Sequence, residues 1–213
     1  MGLTKILKVL LALGAIVAVV SMSSLFMQAE LLKHESISKA EAEANDSREQ
    51  MIGFIQVGLY LLTAIFFGCW IVRANKNVRA LGADGLRITP GWAVGYFFIP
   101  MANLWRPYQA MKDLWLASHN PSSWSTALIG IIVPIWWTLW LLSIFSGQIA
   151  FRMTLHAITL DQIKSCANVQ LITEFIEILL CLVAIALVSQ IAAAQTSHHR
   201  NALASLDSGM CDG

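Results

Sequence analysis

Charge is scarce in this chain. Only 13% of its 213 residues are Asp, Glu, Lys or Arg, against about 25% in an average soluble domain. A soluble surface needs those charges, so the deficit excludes an ordinary soluble globular fold. Net charge is +1 and no basic block occurs, which excludes a nucleic-acid binder. The 4 cysteines and 5 histidines show no metal-ligand spacing. His34, His119, His156, His198 and His199 all fall outside the apolar runs, which leaves an intramembrane haem without ligands. A Ser-His-Asp order, a phosphate-binding glycine loop and a paired-carboxylate motif are also missing. No cofactor, no metal and no catalytic residue is therefore expected, and a non-enzymatic protein is favoured.

What the chain has instead is apolar sequence, 57% of the total against about 45–50% in soluble domains. It falls into four runs, residues 6–27, 51–73, roughly 126–151 and roughly 171–194. A hydrocarbon core of about 30 Å needs about 20 helical residues, and all four runs meet that. Helix is required because no water reaches backbone groups in hydrocarbon. The first run opens like a signal peptide, with Lys5 and Lys8 ahead of it and Ser21 and Ser23 near its end. It is longer than the usual apolar stretch of about 7–15 residues, so a retained span is expected. The expected fold is an all-α integral membrane protein with four transmembrane helices. Its expected divisions are residues 1–50, a span plus an acidic outer loop; 51–195, a three-span membrane domain; and 196–213, a short cytoplasmic tail.

Lys and Arg set the orientation. With both termini inside, the inner segments hold Lys5, Lys8, Arg73, Lys76, Arg79, Arg87, Arg106, Lys112 and Arg200, nine of the 14 basic residues. The outer segments hold Lys33, Lys39, Arg48, Arg152 and Lys164. The flipped arrangement breaks the positive-inside rule. A multi-pass inner (plasma) membrane protein with cytoplasmic termini follows as the expectation. Cys166 is then the only outer cysteine, so no intramolecular outer disulfide forms. Cys69 and Cys181 lie within spans and are expected to be buried.

The inner loop, residues 74–125, is the most distinctive segment. It turns at Gly82 and Gly85, then reads Thr89-Pro90-Gly91-Trp92-Ala93-Val94-Gly95-Tyr96-Phe97-Phe98-Ile99-Pro100 and Met101-Ala102-Asn103-Leu104-Trp105-Arg106-Pro107. The apolar stretch 91–102 is too short to span, and proline flanks it on both sides. After Arg106 the pattern predicts a helix with Pro107 in its first turn. Leu104, Tyr108, Met111 and Trp115 fall on one face, with Gln109, Lys112 and Asp113 on the other. Residues 91–118 are read as an interfacial or re-entrant amphipathic element between the second and third spans. Packing of the helix on the spans is the alternative. Trp92, Pro100, Asn103, Trp105, Arg106, Pro107 and Trp115 are its candidate functional residues.

The order Gly91-Trp92, Pro100, Asn103-Leu104-Trp105-Arg106-Pro107 and Leu114-Trp115, preceded by Arg79-Ala80-Leu81-Gly82, resembles a bacterial membrane protein family, domain of unknown function 4328. The resemblance covers residues 50–195. It implies a multi-span bacterial membrane protein and brings no established activity with it.

Two further constellations lie in the spans. Pro134, Trp136, Trp137 and Trp140 are a candidate groove for a lipid tail or a quinone ring. If that helix starts near Thr126, Trp136 lies about 15 Å along it, and Pro134 frees the carbonyl of Gly130. Simple packing of these rings is the blander reading. Glu174 and Glu177, three apart, share one helix face and are the candidate ion or proton residues. They are expected within the first two turns of the fourth span, where water reaches them. Small residues four apart, Gly14 with Ala18 and Ser143 with Gly147, permit close helix packing.

The leading expectation for function is an accessory subunit, scaffold or regulator of a larger envelope assembly. The first alternative is transport of a small solute or ion by an oligomer, using Gln56, Thr63, Ser143, Gln148, Glu174 and Glu177. The second is lipid or quinone binding. The lipid bilayer is the expected partner, with other membrane proteins or a second copy of the chain beside it.

Overall fold

Helix termini in this chain are written in side chains. Ser38 and Glu41 form a capping box: the Glu41 amide donates to Ser38 Oγ (3.3 Å) and the Ser38 amide to Glu41 Oε2 (2.9 Å). Thr159 and Gln162 repeat the arrangement at 3.4 and 3.1 Å. Each box satisfies amides that a helix start leaves bare. The helices that follow are α2 (Lys39–Ala80) and α6 (Leu160–Cys211), of 42 and 52 residues. Both begin about three turns before their apolar runs, because the capping signal rather than hydropathy sets the start.

The computed structural model describes residues 2–33 and 37–211. His34, read above as a loop residue, lies outside them. Among the described residues every regular element is helical: α1 (Gly2–Leu31), α2, a one-turn α3 (Trp92–Gly95), α4 (Arg106–His119), α5 (Ile132–His156) and α6. Short 3-10 turns cover Tyr96–Phe98, Ala102–Leu104 and Pro121–Thr126. Four of the helices, α1, α2, α5 and α6, are long and apolar enough to cross a membrane. α2 stops at a Schellman turn. Gly82, at φ +92°, donates to Arg79 and the Ala83 amide reaches back to Val78, the geometry for which glycine carries no Cβ penalty.

The chain divides into two compact units. One comprises Met1–Leu7, Ile65–Trp137 and Ile185–Gly213. Its core packs Val78, Met111, Leu114, Val133, Trp136 and Leu187. Gln195 ties three elements of this unit together. Its Nε2 donates to the Ala74 carbonyl (3.2 Å) and Ser118 Oγ (2.9 Å), and its Oε1 accepts from Asn77 (3.1 Å). A buried amide so placed has its polar atoms satisfied rather than stranded. Gly130 lies against the Trp115 ring, where a Cβ would come within 2.7 Å of Cε2.

The other unit comprises Lys8–Ala64 and Thr138–Ala184. Its α1 segment buries Leu10, Leu11, Ala18, Ser21, Ser24 and Leu25, a stripe at helical spacing. Gly14 continues that face, with the Cys181 sulfur 3.3 Å from where its Cβ would stand.

Three expectations are corrected. The third long helix starts at Ile132, not near Thr126, because the 3-10 turn Pro121–Thr126 gives way to extended backbone at Ala127. Asp113, placed on the polar face of α4, is buried; it takes a two-pronged ion pair from Arg87, at 2.9 and 3.3 Å. Cys69 is exposed, while Cys181 is buried as expected.

Candidate functional site

The unit formed by Lys8–Ala64 and Thr138–Ala184 holds a half-open cavity of about 310 Å³. Its walls are mostly apolar, with Leu10, Leu11, Val17, Val57 and Leu59 among them. The polar groups that face it are Gln56, Thr63, Ser143, Thr173, Glu174 and Glu177, with Tyr60 alongside. Five of the six residues named for a transport pathway therefore meet at one place. The sixth, Gln148, is exposed and does not line it.

Both carboxyl groups are held by hydroxyl and amide donors. Glu174 Oε1 accepts from Ser21 Oγ at 2.8 Å and from Gln56 Nε2 at 2.7 Å. Glu177 Oε2 accepts from Ser143 Oγ at 2.8 Å. Those donors come from α1, α2 and α5, so each helix of the unit sends a polar side chain to the pair on α6. Among the described residues that line the cavity there is no Lys, Arg or His, and no salt bridge reaches either carboxylate. Ionisable groups in apolar helices ordinarily face a cavity or pair with one another.

The early start of α6 changes where these residues sit along it. Glu174 is 14 residues after Leu160, about 21 Å along the helix, yet still in the first two turns of the apolar run that opens near residue 171. One turn beyond Ser21 on α1, the buried Ser24 extends the polar line. It accepts from Arg48 Nε at 2.7 Å and donates to Glu49, while Arg48 also donates to Asn45 at 2.7 Å. The sequence marks Ser21 only as part of a signal-peptide-like pattern, although its register with Ala18 and Leu25 turns it inward. Among the described residues no three His, Cys, Asp or Glu side chains gather as a metal set.

The loop residues divide. Trp92, Pro100, Trp105 and Arg106 are exposed, Asn103 is half-buried, and Pro107 and Trp115 are buried. Pro107 stands in the first turn of α4. The Arg106 guanidinium lies over the Tyr96 ring, 5.5 Å from its centroid. The Asn103 Oδ1 atom is buried without a hydrogen-bond partner.

Pro134 is the third residue of α5, where a proline costs no helical hydrogen bond. The Gly130 carbonyl accepts from the Val133 amide at 3.1 Å, so it is not freed. Trp136 begins the second turn, is 2% exposed, and meets Phe67 at 6.0 Å and Trp137 at 5.6 Å. Trp137 in turn meets Tyr108 at 6.3 Å. These rings fill one another's space. Trp140 is half-buried further along the helix.

A family model described as Domain of unknown function (DUF4328) matches residues 33–193. The chain belongs to that family. The match begins ahead of the expected residue 50 and takes in the acidic segment, so α2 belongs to the domain over its whole length. No curated protein and no solved structure matches the chain. That family description assigns no activity.

Proposed function

We propose that this chain is an integral membrane protein that binds a small cation at Glu174 and Glu177 and passes it through the membrane. The observation that carries the reading is the convergence of both carboxyl groups on one apolar-walled cavity, with donors from three other helices and no basic residue in its lining. A carboxylate in a low-dielectric site is costly unless a proton or a cation balances it. Here the lining leaves that balance to an incoming ion. A scaffold helix is served as well by leucine at both positions, and a quinone has no need of two acids. The cation-transport alternative thus stands ahead of the accessory-subunit and lipid-binding ones.

The chemistry points to a proton or a monovalent or ammonium-type cation. Hard divalent ions take about 6–8 oxygen ligands, and this site offers two carboxyl groups whose neighbours Gln56 and the serines are turned to donate. The test is flux in liposomes holding the purified full chain, under imposed proton, sodium and ethylammonium gradients. One of these cations is expected to cross. Glu174→Gln and Glu177→Gln are each expected to slow it by about tenfold or more, equal to about 1.4 kcal/mol. Flux that persists unchanged in the well-folded double variant sinks the reading.

A further inference from the structure

Between Trp92 and Trp105 the chain holds large apolar side chains outward. Trp92 is 54% exposed, Phe98 82%, Met101 70%, Leu104 45% and Trp105 45%. This is not a loosely tethered loop. Ala93 is fully buried, and Val94 packs against Gly68 of α2, with its Cγ1 3.3 Å from where a glycine Cβ would stand. The Asn103 backbone amide donates to the Ile99 carbonyl at 2.8 Å, and the Trp92 and Tyr96 rings meet, tilted, with centroids 5.2 Å apart. The fold holds the backbone and presents the rings.

The segment cannot cross hydrocarbon. It consists of one helical turn and two 3-10 turns between Pro90 and Pro100 and on to Pro107, and such broken backbone leaves polar groups that lipid tails cannot satisfy. Nor does it suit open water, where six exposed apolar side chains within one short segment, Ile99 (40%) among them, are unfavourable. The zone that suits both its backbone and its side chains is the boundary of headgroups and acyl chains. Trp and Tyr rings concentrate there, and a guanidinium finds phosphate there. Arg106, over Tyr96, is in place for that contact. The exposed apolar character continues in the same unit at Leu128 (92%), Ile131 (75%) and Ile135 (43%), at the start of the candidate span α5. The lipid-facing surface of the span and the face of this segment are thus of one kind.

We infer that residues 92–105 form a membrane-interface anchor, lying flat at the headgroup–acyl boundary of the bilayer with Arg106 at phosphate level. This does not depend on the cation site. The test places single nitroxide labels on the full chain in phospholipid vesicles, at Phe98→Cys and Met101→Cys, with Asp84→Cys as the exposed control of the same unit and the native Cys69, Cys166, Cys181 and Cys211 replaced by serine. The Phe98 and Met101 labels are expected to collide more with oxygen and less with an aqueous nickel chelate than the Asp84 label, at headgroup depth. A water-like profile at both sites overturns the inference. So does a bilayer-centre depth, or protection from both reagents by a bound protein. A second measurement keeps the native side chains at the labelled positions. Lipids brominated near the headgroup are expected to quench tryptophan emission, and Trp92→Phe with Trp105→Phe is expected to remove part of that quenching. Quenching that the double variant leaves unchanged counts against the anchor.

Discussion

At the scale of single residues, this protein treats its few charges in two ways. Glu174 and Glu177 are met only by neutral donors, Ser21, Gln56 and Ser143. Asp113 is met by a full charge. Its carboxylate, 4% exposed, takes both prongs of Arg87, whose own side chain is 66% exposed. The exposure of Arg87 means that its removal costs the arginine little and the aspartate much. A buried carboxylate left unpaired loses about 1–3 kcal/mol. Arg87→Ala is therefore expected to lower unfolding stability by that amount, measured by denaturant titration in mixed micelles. Asp113→Asn in the Arg87→Ala background is expected to recover part of the loss, since the uncompensated charge is then gone. Equal stability of Arg87→Ala and the parent would show the pair to be a surface contact only.

At the scale of elements, close approaches decide the architecture. Gly130 sits just before α5 and under the Trp115 ring of α4, and a methyl there would stand 2.7 Å from Cε2. Neither the indole nor the loop backbone gives way easily, and overpacking of a filled core costs about 1–3 kcal/mol. Gly130→Ala is expected to destabilise the protein by that much and to alter tryptophan emission. Gly147→Ala, where no atom lies within 4 Å, is expected to be near neutral in the same assay. The contrast separates a steric demand from a general intolerance of alanine. Gln195 works at this scale too, joining Ala74 and Asn77 of α2 to Ser118 of α4. A glutamine just past the end of an apolar run gives no hint in sequence that it closes a three-element contact.

At the scale of the whole molecule, the arrangement in the membrane follows from the charge count of the loops. With nine of 14 basic residues assigned to the inner segments, both termini are expected in the cytoplasm. Reporter fusions at each terminus are expected to be active only when the reporter requires the cytoplasm. A fusion at either end that is active only outside the cytoplasm would reverse the assignment. This orientation places the acidic Ser38–Gln50 segment, with Arg48 and Glu49, on the outer side. The polar line from Ser24 to Ser21 and Glu174 would then be the outer approach to the cavity.

The sequence by itself determined the four long helices, because hydrocarbon admits only a self-satisfied backbone and about 20 apolar residues are countable. It determined the family as well, through the short run Asn103-Leu104-Trp105-Arg106-Pro107 that the matched domain contains. Local signals such as Ser38 with Glu41 and Thr159 with Gln162 were also present in it, as caps that set helix starts earlier than hydropathy did. Only the tertiary structure decided that Asp113 turns inward to Arg87, and that Gln56, Ser143, Glu174 and Glu177 share one cavity, with Ser21 donating to Glu174. The Ser21–Glu174 and Gln56–Glu174 contacts span 153 and 118 residues of chain. Helical periodicity tells which residues share a face of one helix. It is silent on which face of another helix that face will meet, because helix rotation and pairing are fixed by packing between elements.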